Sequence, residues 1–225
     1  MFDPSPHNGR RWADLCLAAA CALALTVPTA SRASTLSDNL SAVSEDSVTA
    51  SLDHWLAASF TTDTAIGTGD TLTAVLKAGV LDGSQSLSLY TSDDTGLVPT
   101  QWLADFTATS STSSTSTFSL SGVSLSSASS YWLVLSNASG TSTWQWTADS
   151  TGSGTGFTGL WADSDDAGNV WFSNSARYPL QLSVSSSISA VPEPASNVLT
   201  LTGLCLLAAM RLRRNDQRNQ SNRKG

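Results

Sequence analysis

Between residues 34 and 190 apolar residues return at every second position in short runs, and no stretch repeats with a helical period. A period of two puts alternate side chains on opposite faces of an extended strand. Ser and Thr fill most of the intervening positions, and charged residues make up only 13% of the 225-residue chain. Small, polar, β-tolerant residues suit a pleated surface better than a helix, so a helical bundle or an α/β enzyme is disfavoured. After one early strand within the polar lead-in 34–53, the spacing predicts about nine antiparallel strands: 55–62, 70–78, 86–91, 102–107, 117–120, 131–136, 143–149, 170–173 and 178–186. Within 86–91, Leu87 and Leu89 share one face and Tyr90 takes the other, and Asp93-Asp94-Thr95-Gly96 reads as a turn. The Ser/Thr-rich stretch 107–119 reads as two polar strand ends and a long loop. The fold class predicted is all-β: an antiparallel two-layer β-sandwich, jelly-roll-like, followed by one C-terminal transmembrane helix.

The basic residues lie almost entirely outside this region. From 34 to 190 only Lys77 and Arg177 oppose fourteen carboxylates, a net charge of −12. Such a surface repels nucleic acid and anionic lipid. All three cysteines, Cys16, Cys21 and Cys205, also fall outside it, which leaves the domain without a disulfide, a Cys-based zinc site or a thiol nucleophile. Its stability must come from a core, for which about 155 residues suffice.

The two ends read as addresses. Arg10 and Arg11, the apolar run Leu15 to Val27, then Pro28 and small residues to Ala33 have the three-part layout of a secretory signal peptide, residues 1–33. Cleavage after Ala33 fits its small-residue rule better than cleavage after Ala30, and an uncleaved anchor is the alternative, although the run is shorter than the ~20 residues of a spanning helix. At the other end, Val191-Pro192-Glu193-Pro194 precedes an apolar segment from Ala195 to Leu212, then the basic cluster Arg211, Arg213 and Arg214 and a further basic tail. That segment reaches ~27 Å as a helix, enough for a single span if Arg211 snorkels. A basic tail held in the cytoplasm leaves residues 34–190 outside, the topology that the leader also predicts.

The tripartite tail, residues 191–225, resembles the PEP-CTERM sorting signal of Gram-negative bacteria. That resemblance implies an exosortase, a membrane-embedded cysteine transpeptidase-like enzyme, as partner, with Val191, Pro192, Glu193 and Pro194 as its substrate motif. It also implies an inner-membrane intermediate before the cell surface or extracellular matrix is reached. A simpler reading of the prolines is a favourable helix start, but it leaves the three-part order unexplained. The segments Trp55–Phe60, Leu87–Ser92 with Gly96 and Pro99, Tyr131–Ser136 and Trp144–Trp146 resemble the choice-of-anchor domains, R type, that carry such tails, with a departure at Trp102. The resemblance implies a β-rich extracellular domain with no assigned catalytic activity, and implies nothing about a ligand.

The chemistry within the domain is sparse. His54 has no Cys partner and no second His in the domain, so no His-based metal site is expected of it, and the expectation is a surface or strand-edge histidine. No spacing singles out a carboxylate pair for glycoside hydrolysis, so no enzyme is expected. Asp163, Asp165 and Asp166 open a segment similar to the start of a calcium loop, but Ala167 occupies a ligand position and Asn174 replaces the closing Glu. The alternatives are a calcium site and an acidic turn, with no other cofactor expected. Of seven tryptophans in the domain, Trp132, Trp144 and Trp146 are assigned to the core, whereas Trp102, Trp161 and Trp171 lie near turns and are the candidates to stack on a polysaccharide. The function expected is a non-enzymatic surface or matrix protein; the alternative is a carbohydrate-binding module. Asn39-Leu40-Ser41 and Asn137-Ala138-Ser139 match the N-glycosylation sequon.

Overall fold

The computed structural model describes residues 32–78, 84–174 and 177–188, all within one compact unit, Ser31–Ser189. Of the expected leader only Arg32 and Ala33 are described, as the first two residues of a strand, and the sorting motif and transmembrane helix lie outside the described residues, among which no helix is long and apolar enough to cross a membrane. Thirteen strands follow in chain order: β1 (Arg32–Asp38), β2 (Asp46–Ala50), β3 (Trp55–Thr62), β4 (Thr71–Leu76), β5 (Gln85–Ser92), β6 (Pro99–Asp105), β7 (Thr107–Ser111), β8 (Ser116–Ser121), β9 (Ser129–Asn137), β10 (Ser142–Trp146), β11 (Phe157–Ser164), β12 (Phe172–Asn174) and β13 (Leu182–Ile188). They form a five-stranded sheet in the order β1-β13-β4-β8-β7, a six-stranded sheet in the order β12-β11-β3-β9-β5-β6 and a small ladder of β10 and β2. Every named pairing is antiparallel.

The all-β expectation therefore holds for the described residues, with differences in detail. The lead-in holds two strands rather than one, because Asp46–Ala50 pairs with β10 while Arg32–Asp38 pairs with β13. The stretch read as a long loop is a hairpin of β7 and β8 closed at Thr112 and Thr115. β11 was not expected at all. Gly159, at φ 69°, and a register shift between Phe157 and Trp161 interrupt its alternation.

In the five-stranded sheet the alternation in sequence is the alternation in space. Leu72, Ala74 and Leu76 of β4 are buried, while Thr71, Thr73 and Val75 face outward. Phe118 of β8 and Val184 of β13 both stand opposite Ala74, so a small residue takes the place between two larger ones and the row fills without strain. From the other sheet Leu56, Ala58, Phe60, Leu87, Leu89, Tyr131, Leu133 and Leu135 join the same buried cluster. Trp144 of β10 is fully buried in it, and its indole N–H donates to the Gln181 carbonyl at 2.9 Å. Burial of a Trp with its one donor satisfied meets the usual requirement for that side chain.

The central strands of the six-stranded sheet are buried on both faces. Ala57, Trp132, Val134 and Ala162 form a second cluster, against which Trp55, Tyr90, Leu160 and Trp171 pack. Leu87 and Leu89 thus face one cluster and Tyr90 the other, as the alternation predicts.

The segment 153–156 links the two sheets. Ser153 exchanges backbone hydrogen bonds with Asp38 of β1, and Gly156 donates to Leu36 and accepts from Thr61 of β3. The approach is so close that a Cβ on Gly156 would lie 1.8 Å from the Thr61 carbonyl oxygen, and one on Gly154 2.5 Å from that of Leu36. Only glycine fits here. The strap also covers the free edge of β1, which would otherwise offer unpaired backbone groups to another chain.

Candidate functional site

The register of β11 against β3 brings three chemistry-bearing side chains together. Ser164 lies opposite Trp55 and Asp163 opposite Leu56. His54, immediately before β3, therefore sits beside the end of β11. Its Nδ1 lies 2.6 Å from the Thr49 carbonyl oxygen. A carbonyl only accepts, so Nδ1 carries the hydrogen and Nε2 is the free nitrogen of the neutral ring. That Nε2 faces Asp163 Oδ2 at 3.7 Å and Asp165 Oδ1 at 3.6 Å. One ligand atom from each of the three residues lies within 4.8 Å of the others. Asp163 is itself oriented from behind, since its Oδ1 accepts a hydrogen bond from the Asn174 amide on β12. The side chains of His54 and Asp163 are 28% and 24% exposed, whereas Asp165 is 76% exposed.

His54 is at a strand end and partly exposed, as expected, and the acidic segment divides differently from the expected trio. Asp166 turns into its own loop, where Oδ1 accepts from the Val170 amide and the Ser164 hydroxyl, each at 2.8 Å. Those bonds hold its carboxyl below the usual carboxylate range. Ala167 and Gly168 complete the turn at φ 56° and 83°, and Trp55 packs so closely that a Cβ on Gly168 would meet its ring at 2.7 Å. Asp163 and Asp165 are brought together, with His54 rather than Asp166 as the third member. The missed signal was β11 itself: without that strand, nothing in the sequence sets Asp163 opposite β3.

The three candidate tryptophans separate. Trp161 is half-buried against the main core, and Trp171 against the second cluster. Trp102 on β6 is 52% exposed, and its indole N–H donates to Asp105 Oδ1 at 2.9 Å, which fixes the ring. Of the three assigned to the core, Trp132 and Trp144 are fully buried, while Trp146 is half-buried and meets Tyr178 edge-on at 5.2 Å. An open cleft of about 490 Å³ is lined by Thr91, Ser92, Asp94, Ser130 and Tyr131, among others. Asp93 at its rim accepts from the amides of Leu97 and Val98 and from the Thr95 hydroxyl, and its carboxyl is held down to about 2. It serves the turn expected at 93–96.

Both sequon asparagines are structural. Asn39 donates to the Leu180 carbonyl and accepts from the Leu182 amide, and Asn137 donates to the Ala50 carbonyl; each is 3% exposed. Val191, Pro192, Glu193, Pro194, Arg211, Arg213 and Arg214 lie outside the described residues. Compared with known proteins, the chain matches no family model, no curated protein and no solved structure.

Proposed function

We propose that this chain is an exported, non-enzymatic protein of the cell surface or extracellular matrix, carried out by its leader, held briefly in the inner membrane by its C-terminal helix, and cleaved by an exosortase at Pro192-Glu193-Pro194. The observation that carries this reading is the pairing of the first described strand with the last, in which Ser34, the first residue after the expected cleavage, stands opposite Ser186. The start of β1 and the end of β13 then lie side by side at one end of the same sheet. Cleavage after Ala33 takes two residues from β1, an edge strand, and cleavage at the motif leaves β13 whole.

The domain is a two-layer, jelly-roll-like sandwich in this reading. With β2, β10, β7, β11 and β12 set aside as additions, the remaining order is β1-β13-β4-β8 over β3-β9-β5-β6, the alternation of two interlocked Greek keys. The intact mass of the mature protein from envelope and medium fractions of its own host tests the sorting step. A product beginning near Ser34 and ending near the Pro192-Glu193-Pro194 motif is expected; a product that keeps Arg211 to Gly225 overturns it.

A carbohydrate-binding role is the second reading, favoured by the fixed, exposed ring of Trp102. It stands opposite Tyr90, two strand positions from Ser92, which lines the cleft. Aromatic rings stack on sugar faces while neighbouring hydroxyls hydrogen-bond the rim. Glycan-array binding that Trp102→Ala abolishes supports this role, and absence of binding to any glycan removes it.

A further inference from the structure

We propose that His54, Asp163 and Asp165 form a binding site for a divalent transition-metal ion of the zinc class. Three observations meet there. First, the Thr49 carbonyl fixes the imidazole tautomer, so the Nε2 lone pair is aimed at two carboxylate oxygens. In that tautomer no hydrogen lies between Nε2 and the two oxygens, and either a proton on Nε2 or a metal ion among the three relieves their repulsion. Second, the separations of 3.6 and 3.7 Å are too long for a closed imidazolium–carboxylate pair, whose hydrogen bonds run to about 2.7–2.9 Å. They stand at and 0.1 Å beyond the long edge of a tetrahedron whose ligands lie ~2.0–2.2 Å from a central ion, roughly 3.3–3.6 Å, so the side chains close in slightly on binding. Third, the far atoms are tied from outside the cluster: His54 Nδ1 by Thr49, and Asp163 Oδ1 by Asn174. Such outer partners, a carbonyl on the second imidazole nitrogen above all, accompany metal-binding histidines and orient them.

The donor set decides the class of ion. Calcium takes an all-oxygen shell of six to eight ligands, whereas one imidazole and two carboxylates suit zinc and its neighbours. Three protein ligands leave a tetrahedral position for water or for a group from outside. The ion would join the residue before β3 to the end of β11 and fix the loop that follows, in a region with no disulfide.

The test is calorimetric titration of the chelator-treated full chain in detergent with zinc chloride alone, in a Cys16→Ser, Cys21→Ser, Cys205→Ser background that removes the thiols. One zinc per chain is expected, with affinity reduced at least tenfold in both His54→Gln and Asp165→Asn and unchanged in Asp166→Asn. The visible spectrum of the cobalt-loaded parent protein, which needs no variant to fold, should be that of a four-coordinate ion. No zinc binding by the parent, parental affinity in either His54→Gln or Asp165→Asn, or a six-coordinate cobalt spectrum overturns the proposal. So does calcium binding lost in Asp166→Asn but kept in His54→Gln.

Discussion

The two large sheets solve the same problem with different surfaces. The five-stranded sheet buries one face and turns out rows of hydroxyls: Ser185, Thr73 and Ser119 stand side by side, as do Ser187, Thr71 and Ser121. No charged residue occurs among the outward positions of β4, β8 and β13, although the domain as a whole is strongly acidic. The six-stranded sheet is buried on both faces along β3 and β9 and keeps its aromatic residues there. A sheet with one wet face writes its pleat into the sequence as alternation, whereas a sheet covered on both sides reads as a continuous run of apolar and small residues.

Substitutions can break that comparison or sharpen it. Trp132→Ala removes the largest side chain of the second cluster and is expected to cost about 3–5 kcal/mol, read by denaturant unfolding followed by circular dichroism. A cost near zero would make the second cluster a surface feature and the two sheets alike. Gly156→Ala drives a methyl group into the Thr61 carbonyl and should cost about 2 kcal/mol or more in the same measurement, by breaking the strap that joins the sheets. Acid acts on the 93–98 turn. The folded Asp93 carboxyl lies at about 2 against an ordinary 3.8, so its contribution is complete above about pH 4 and disappears as pH falls through 2. Faster hydrogen exchange at the Leu97 and Val98 amides between pH 4 and pH 2, absent in Asp93→Asn, checks this. Smallest of all, Thr73→Val on the hydroxyl face should shift stability by no more than about 0.5 kcal/mol. A larger loss there would mean that the hydroxyl rows hold the sheet together rather than merely face water.

The same contrast explains what could be read in the sequence. β4, the Phe118–Leu120 part of β8, and the Leu87–Leu89 face were legible because their alternation survives intact. β7 was hidden because a strand made only of Ser, Thr and Ala has no apolar face to reveal its period. β11 was hidden because a left-handed glycine and a register shift break the count midway. The acidic segment around Asp163 was visible as a cluster of oxygen donors, but its meeting with His54 depends on a strand pairing across a long stretch of chain. Local patterns do not encode such pairings. The fate of the tryptophans was legible only in part, since position near a turn marked Trp102 correctly as exposed but also marked Trp161 and Trp171, which pack inward.

The place of β13 has a mechanical consequence. It lies between β1 and β4 and is hydrogen-bonded to both throughout. A chain tethered beyond Ile188 and pulled along the strand direction by flow or by a moving neighbour would load two ladders at once, in shear. Every bond in both ladders must then yield together, instead of opening one at a time as at a peeled edge. The last described strand is thus one that the fold holds from both sides.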